Sequence, residues 1–232
     1  MKPLGDSALI IEVGEQVDEA THARVQATWR WLEQQALPGV TEIVPAYTTV
    51  TLFYDPIRLG AAGAAPEDLA GWLGQRTAQA LAAMPSVGAA KRGRLVEIPI
   101  CYELEFAPDL AAVAQARGLA MDDVIRLHQA TDFLVYMLGF APGFPYLGGL
   151  PEKLSVPRRA SPRPKVAAGS VGIIGTQCCI YPIETPGGWN LIGRTPLRLF
   201  RPELEPPVLL QPGDRVRFRA ITRERFDEEV RA

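Results

Sequence analysis

The chain has 232 residues, of which 47% are hydrophobic and 22% are charged, and its formal net charge is −2. This balance is typical of a folded protein and gives no general electrostatic case for nucleic-acid binding. The apolar runs are too short to span a bilayer and the first residues do not resemble a signal peptide, so a cytoplasmic protein without a membrane anchor is expected. The cysteines, Cys101, Cys178 and Cys179, have no CxxC spacing, and there are only two histidines, so neither a disulfide nor a metal site is expected.

Residues 1–90 are predicted to form a small α/β domain. Apolar residues recur at helical spacing in two segments, and β-branched and aromatic residues mark the strands between them. Two helices on one face of a mostly antiparallel sheet is the simplest packing of these elements. The predicted elements are a strand at 7–13, a helix at 18–36, one or two strands around Pro45, a helix that begins near 66–68, and a candidate further strand at 94–103.

Residues 91–232 are predicted to form a second domain, after a linker at 84–94. Two short helices are expected first, near 108–117 and 121–129. Short β-rich runs then alternate with glycine and proline turns, which predicts a closed or nearly closed β-barrel. The fold class is therefore α+β. The strand runs are FLVYMLG (133–139), SVGIIG (170–175), CCIYPI (178–183), LRLF (197–200) and RVRFRAI (215–221).

The apolar segment 139–149, GFAPGFPYLGG, cannot continue a regular strand, because glycine and proline interrupt the hydrogen-bonded ladder. Its Pro-Gly pair suits the two central positions of a type II turn. The aromatic side chains either fill the core at a barrel corner or form a rigid rim that contacts a partner. The two alternatives are compatible if some side chains point inward and others outward. Phe140, Phe144 and Tyr146 are the candidate interface residues.

A basic loop follows at 156–165, VPRRASPRPK. Its prolines hold the chain extended, and the planar fork of arginine matches a carboxylate or phosphate. A solvated loop is the alternative for any single side chain, but the cluster indicates an anion site, with Arg158, Arg163 and Lys165 as the contacts.

Four further polar residues are embedded in apolar segments. Gln177, Tyr181 and Arg194 either satisfy buried backbone groups or converge at the barrel mouth around a small polar ligand. His128 lies on the apolar face of a short helix, where it is either a core residue or a general acid and base. The glycine-rich run at 168–175 does not end in Gly-Lys-Ser/Thr, so it is not a Walker nucleotide site.

A series of motifs resembles the KipI / allophanate hydrolase subunit 1 family. They are LH (127–128), LGFAPGFPYLGGLP (138–151), PRPK (162–165), AGSVGI (168–173), PGGW (186–189) and LIGRTP (191–196). The resemblance extends over nearly the whole chain. It implies an N-terminal α/β domain followed by a cyclophilin-like β-barrel.

Three roles are implied by the resemblance. The preferred one is the B subunit of an ATP-dependent 5-oxoprolinase that acts on 5-oxoproline with a KipA/PxpC-type sister subunit and a LamB/YcsF-type PxpA subunit. The alternatives are a KipI-like inhibitor of sensor histidine kinase autophosphorylation and subunit 1 of an allophanate hydrolase or urea carboxylase-like carboxyltransferase module. No intrinsic cofactor is expected, ATP being used by the complex, and the chain alone is expected to be inactive.

Overall fold

Two units make up the chain in the computed structural model, which describes residues 1–86 and 93–231. The first unit is Met1–Lys91 and the second is Arg92–Ala232. Most of the predicted linker, and the predicted boundary between residues 90 and 91, lie outside the described residues. That boundary therefore stays a prediction.

The first unit is an antiparallel four-stranded sheet with three helices. Its elements are β1 (Lys2–Pro3), β2 (Ala8–Glu12), α1 (Glu19–Gln34), β3 (Val40–Pro45), β4 (Thr49–Tyr54), α2 (Pro56–Ala61) and α3 (Leu69–Ala82). The strand order is β1-β2-β4-β3. The helical stripe of α1 buries Val25 and Leu32 against Leu52 of the sheet and Leu73 of α3, as the periodicity of its apolar residues predicts.

One helix of this unit is absent from the sequence prediction. The helix α2 has only six residues and begins at Pro56, with the Asp55 side chain accepting hydrogen bonds from the first-turn N–H groups of Ile57 and Arg58. Proline and an aspartate cap are ordinary helix-start signals. A helix of this length has too few apolar positions to show a period.

The second unit is built around a seven-stranded sheet. Its elements are β5 (Leu95–Ile100), α4 (Leu110–Arg117), α5 (Met121–Gln129), β6 (Asp132–Leu138), β7 (Pro145–Gly148), β8 (Arg163–Val166), β9 (Ser170–Ile174), β10 (Gln177–Ile180), β11 (Thr185–Gly187), β12 (Asn190–Arg194), β13 (Arg215–Ala220) and α6 (Arg223–Arg231). The strand order is β12-β9-β10-β7-β6-β13-β5, and β11 pairs with β8 in a separate two-stranded sheet. Only the β13–β5 pair of the large sheet is parallel.

The two edge strands of the large sheet meet and nearly close it into a barrel. Cys101 and Arg194 exchange backbone hydrogen bonds of 2.8 and 3.0 Å just beyond β5 and at the end of β12. At Gly193 a Cβ atom would lie 2.6 Å from Ile100 Cδ1, so this close approach requires glycine. The nearly closed barrel and the α+β class are as predicted.

Three strand predictions need correction. The segment 139–149, which was predicted not to form an ordinary strand, contains β7, and this strand pairs with β6 and β10. The run 94–103, a candidate for the first sheet, forms β5 at the edge of the second unit's sheet and pairs with β13. The run 197–200 forms no strand, and Phe200 makes only an isolated bridge with Val208. Apolar composition alone does not reveal whether a partner strand is available.

The adjacent cysteines of β10 lie on opposite faces of the strand. Cys178 packs in the barrel core, whereas Cys179 packs in a separate aromatic cluster with Phe144 and Tyr181. Both faces of β10 are therefore covered, and burial raises the pKa of each thiol. Neither thiolate is available as a nucleophile.

Within residues 1–86 and 93–231, no helix is long and apolar enough to cross a membrane. The same residues contain no group of three or more His, Cys, Asp or Glu side chains arranged to hold a metal ion.

Candidate ligand pocket

The loop after β6 turns sharply and sends its aromatic side chains in different directions. Gly143 has a φ of 75°, and the Phe144 N–H donates to the Ala141 carbonyl at 3.0 Å, as in a type II turn. Phe144 is 1% exposed, whereas Phe140 is 66% exposed. Phe140 also has a φ of 70°, in the left-handed region that a bulky residue rarely adopts. The loop thus buries one aromatic side chain, Phe144, and exposes another, Phe140.

These aromatics border a cavity of about 340 Å³. The Phe144 ring contacts Tyr181 edge to face, with 5.2 Å between centroids, and Tyr146 at 5.0 Å. Trp189 lies 6.3 Å from Tyr146, again between centroids. The side chains that define the site are Phe140, Phe144, Tyr146, Arg158, Tyr181 and Trp189. Tyr181 and Arg158 were predicted from the sequence as site residues, and Trp189 was not, although it belongs to the quoted PGGW motif.

Two consecutive glycines form one side of this cavity. A Cβ atom at Gly187 would lie 2.2 Å from the Tyr181 hydroxyl oxygen, and one at Gly188 would lie 2.8 Å from Arg158 Nε. Any larger residue would displace the tyrosine or the guanidinium. The glycine pair of PGGW therefore allows Tyr181 and Arg158 to approach the β11–β12 connection closely.

The polar side-chain groups that line the pocket are one guanidinium, two phenols and the indole N–H of Trp189. Burial raises the pKa of Tyr181 and of Tyr146, and the Arg158 charge opposes this increase at both hydroxyls. Both phenols are therefore protonated near neutral pH and can donate a hydrogen bond. In the part of the chain that the structure describes, Arg158 forms no ion pair or hydrogen bond.

The other arginines of the basic loop bind a buried carboxylate. Asp109 accepts two hydrogen bonds from Arg163, at 2.8 and 2.9 Å, and one from Arg159 at 2.7 Å. The Leu191 backbone N–H donates a further bond of 2.7 Å. Asp109 is 4% exposed. The Arg163 fork is fully used by this carboxylate, which does not favour its predicted role as an external anion contact.

The remaining predicted residues lie away from the pocket lining. Lys165 forms an exposed ion pair with Glu184, with 3.0 Å between Nζ and Oε1. The Arg194 Nε donates to the Ala168 carbonyl at 2.8 Å. Gln177 begins β10 beside the β9–β10 turn. These placements do not favour Lys165 as an external anion contact. They also do not favour Gln177 and Arg194 as pocket residues beside Tyr181.

His128 is sealed inside the barrel. Its ring is hydrogen-bonded to the Tyr102 hydroxyl at 2.7 Å and stacks on Phe218 with 4.4 Å between centroids. Its Nε2 lies 3.5 Å from Cys178 Sγ. Burial lowers the pKa of His128 to about 3. The structure favours the core role and offers no exposed face for the predicted acid and base chemistry.

Substitution of Arg163 tests the Asp109 cluster. Arg163→Ala leaves a buried carboxylate with half of its hydrogen bonds, so we expect the free energy of unfolding to fall by about 2 kcal/mol or more. Lys165→Ala, which breaks only an exposed pair in the same strand, is expected to cost less than about 1 kcal/mol. Chemical denaturation measures both. Equal stability of the two variants would contradict the structural role of Arg163.

The buried histidine predicts a pH dependence of stability. The unfolded chain takes up a proton at His128 below about pH 6.5, whereas the folded chain resists protonation until about pH 3. Protonation therefore favours unfolding, and this group should reduce stability by about 2 kcal/mol between about pH 8 and pH 5. In His128→Leu, the decrease in the free energy of unfolding between these two pH values should be smaller by about 2 kcal/mol. Identical pH profiles in denaturant titrations of the two proteins would refute the assignment.

Comparisons with known proteins agree with the resemblance predicted from the motifs. The family model described as carboxyltransferase domain, subdomain C and D, matches residues 1–210. The chain is 44% identical over 230 residues to the 5-oxoprolinase B subunit of Bacillus subtilis (strain 168), covering 97% of this chain and 94% of that relative. It is 42% identical to the 5-oxoprolinase B subunit of Escherichia coli O157:H7, covering 93% of each.

A solved structure gives the same result for the fold. The crystal structure of TTHA0988 matches 92% of this chain with a TM-score of 0.77 and 38% identity. The chain spans 40% of the length of that protein. The chain therefore belongs to the family of the carboxyltransferase domain, subdomains C and D.

Proposed function

We propose that this protein is the B subunit of a cytoplasmic, ATP-dependent 5-oxoprolinase. The complex would convert 5-oxo-L-proline, ATP and water into L-glutamate, ADP and phosphate. The observation that supports this most strongly is the similarity to two 5-oxoprolinase B subunits over nearly the whole of both chains. The pocket beside Arg158 adds a place where a small carboxylate could bind.

We assign the steps of this reaction to different subunits. The lactam amide is stabilised by resonance, so its opening needs the free energy of ATP hydrolysis. This sequence has no Walker motif, and most cations of its basic loop are already paired. We therefore assign ATP chemistry to the partners, a KipA/PxpC-type sister subunit and a LamB/YcsF-type PxpA subunit, with no resident cofactor in this chain.

Reconstitution tests this function directly. The three purified subunits together should release glutamate and phosphate from 5-oxoproline and ATP, and omission of this chain should abolish glutamate release. The chain alone should show no turnover, since it lacks a nucleotide motif. Glutamate production by the other two subunits at the full rate would contradict the proposal, and so would turnover by this chain alone.

A second candidate is a component of an allophanate hydrolase or urea carboxylase-like carboxyltransferase module, which the description of the matched family favours. Such a module would move a carboxyl group carried by biotin to or from an amide nitrogen. Product formation that depends on bicarbonate and a biotin protein would support it. Ring opening of 5-oxoproline in the absence of both would favour the 5-oxoprolinase.

The exposed aromatic of the loop predicts a contact between subunits. Phe140→Asn removes the ring at a backbone conformation that asparagine tolerates, so the fold should be retained. Because buried aromatics are frequent anchors of interfaces, we expect affinity for the KipA/PxpC-type subunit to fall about tenfold or more. Analytical ultracentrifugation measures the affinity.

Two comparisons make the contact test specific. Leu104→Asn changes another exposed apolar residue of the same unit and should leave the affinity unchanged. Phe144→Ala empties a core position and should lower stability by about 3–5 kcal/mol. Full affinity of the Phe140→Asn variant would show that this aromatic is not at the interface, and the predicted interface role of Phe140 would be wrong.

A further inference from the structure

We propose that the pocket bordered by Phe144, Tyr146, Tyr181 and Trp189 binds a small ring bearing one carboxylate, with Arg158 as the carboxylate contact. The identity of this ligand as 5-oxoproline rests on the proposed function. The chain would then hold the substrate itself, rather than serve only to dock its partners.

Arg158 differs from the other three cations of the basic loop, which all form ion pairs. Arg159 and Arg163 are held by Asp109 at 2.7 to 2.9 Å, and Lys165 is paired with Glu184. Arg158 alone of these four cations borders the cavity, and it has no ion pair or hydrogen bond among residues 1–86 and 93–231. An arginine fork next to an apolar surface is suited to bidentate binding of a carboxylate.

The residues that line the pocket indicate the size and the ring type of the ligand. The half-buried rings of Tyr146 and Trp189 favour a flat, mostly apolar ring. The cavity volume of about 340 Å³ is at the lower end of the range for small-molecule sites. Tyr146 and Tyr181 place phenol groups at the cavity, and a protonated phenol is a hydrogen-bond donor suited to a carbonyl or a carboxylate. A five-membered lactam acid has these groups in a compact form.

The same set of lining residues disfavours a nucleoside triphosphate as the ligand of this pocket. Several negative charges need several cations or a cluster of backbone N–H groups, and only one cation borders the cavity. The glycines here, Gly187 and Gly188, are used to approach Tyr181 and Arg158. We therefore place the substrate carboxylate, and not ATP, at Arg158.

Trp189 supplies a direct probe of occupancy. The Trp189 indole N–H resonance can be assigned as the peak that is lost in Trp189→Phe. The other tryptophans, Trp29, Trp31 and Trp72, all lie in the first unit and serve as internal references. Titration of the full chain with 5-oxoproline should shift this resonance. Cyclopentanecarboxylate should also shift it, whereas 2-pyrrolidinone, which lacks the carboxylate, should bind at least about tenfold more weakly.

Substitutions then test the assigned contact. Arg158→Gln should weaken 5-oxoproline binding about tenfold or more, whereas Arg198→Gln, the same change at an exposed and paired arginine, should have no effect. Arg158→Lys keeps the charge but loses the planar fork of the guanidinium. Its affinity for 5-oxoproline should therefore lie between those of the wild type and Arg158→Gln. Both Arg158 variants should melt as the wild type does, because Arg158 is exposed.

The assembled complex separates this inference from the proposed function. In a working complex, Arg158→Gln should raise the KM for 5-oxoproline about tenfold with the KM for ATP unchanged. Wild-type kinetics in that variant, or a Trp189 resonance that does not move at saturating 5-oxoproline, would overturn the pocket assignment and leave the proposed role in the complex intact. Conversely, Arg158-dependent binding of 5-oxoproline without turnover by any reconstituted complex would support the pocket and overturn the proposed function.

Discussion

The buried carboxylate of Asp109 is the interaction on which the arrangement of the pocket depends. It is the N-cap residue of α4, and both its backbone N–H and its side chain are hydrogen-bonded to Leu191 of β12. Its remaining bonds hold Arg159 and Arg163. One side chain thereby joins a helix N-terminus, an edge strand of the barrel and the basic loop. A buried charge of this kind is tolerated only when it is fully paired, so the loop has little freedom to change its path.

This pairing also determines the electrostatics of the loop. From its composition the loop is strongly basic, but in the folded chain Asp109 pairs with two of its arginines and Glu184 pairs with its lysine at the surface. What remains is a single guanidinium beside an aromatic cavity. The site is consequently suited to one carboxylate rather than to a polyphosphate, which agrees with the absence of a nucleotide motif in the sequence.

The packing of the barrel interior favours a structural role for its polar side chains. His128, Tyr102 and Cys178 are packed among aromatic rings, and burial holds the histidine neutral. The pocket instead lies where β7, the loop before it and the two-stranded β8–β11 sheet meet. The proposed pocket and the barrel core are thus on opposite faces of the same strands, as the packing of Cys178 and Cys179 in different clusters illustrates.

Local patterns were sufficient to predict the elements that depend on local physics. The stripe of α1, the turn at Pro142-Gly143 and the barrel class follow from periodicity and turn chemistry. The Asp109 pairs could not be predicted, because their partners lie 50 and 54 residues away in the chain. For the same reason Arg163 was predicted to be available for an external anion. Trp189 could have been included, since PGGW places an aromatic directly after a glycine pair.

Internal pairing of the other loop cations leaves Arg158 as the proposed anion contact of an aromatic pocket. A crystal structure of the assembled complex with 5-oxoproline would show where the substrate binds. We expect the substrate carboxylate to lie within hydrogen-bond distance of the Arg158 guanidinium, against the Trp189 and Tyr146 rings, while Asp109 keeps both arginines. A substrate carboxylate bound to Arg163, or a ligand held elsewhere with this pocket filled by a partner side chain, would contradict it.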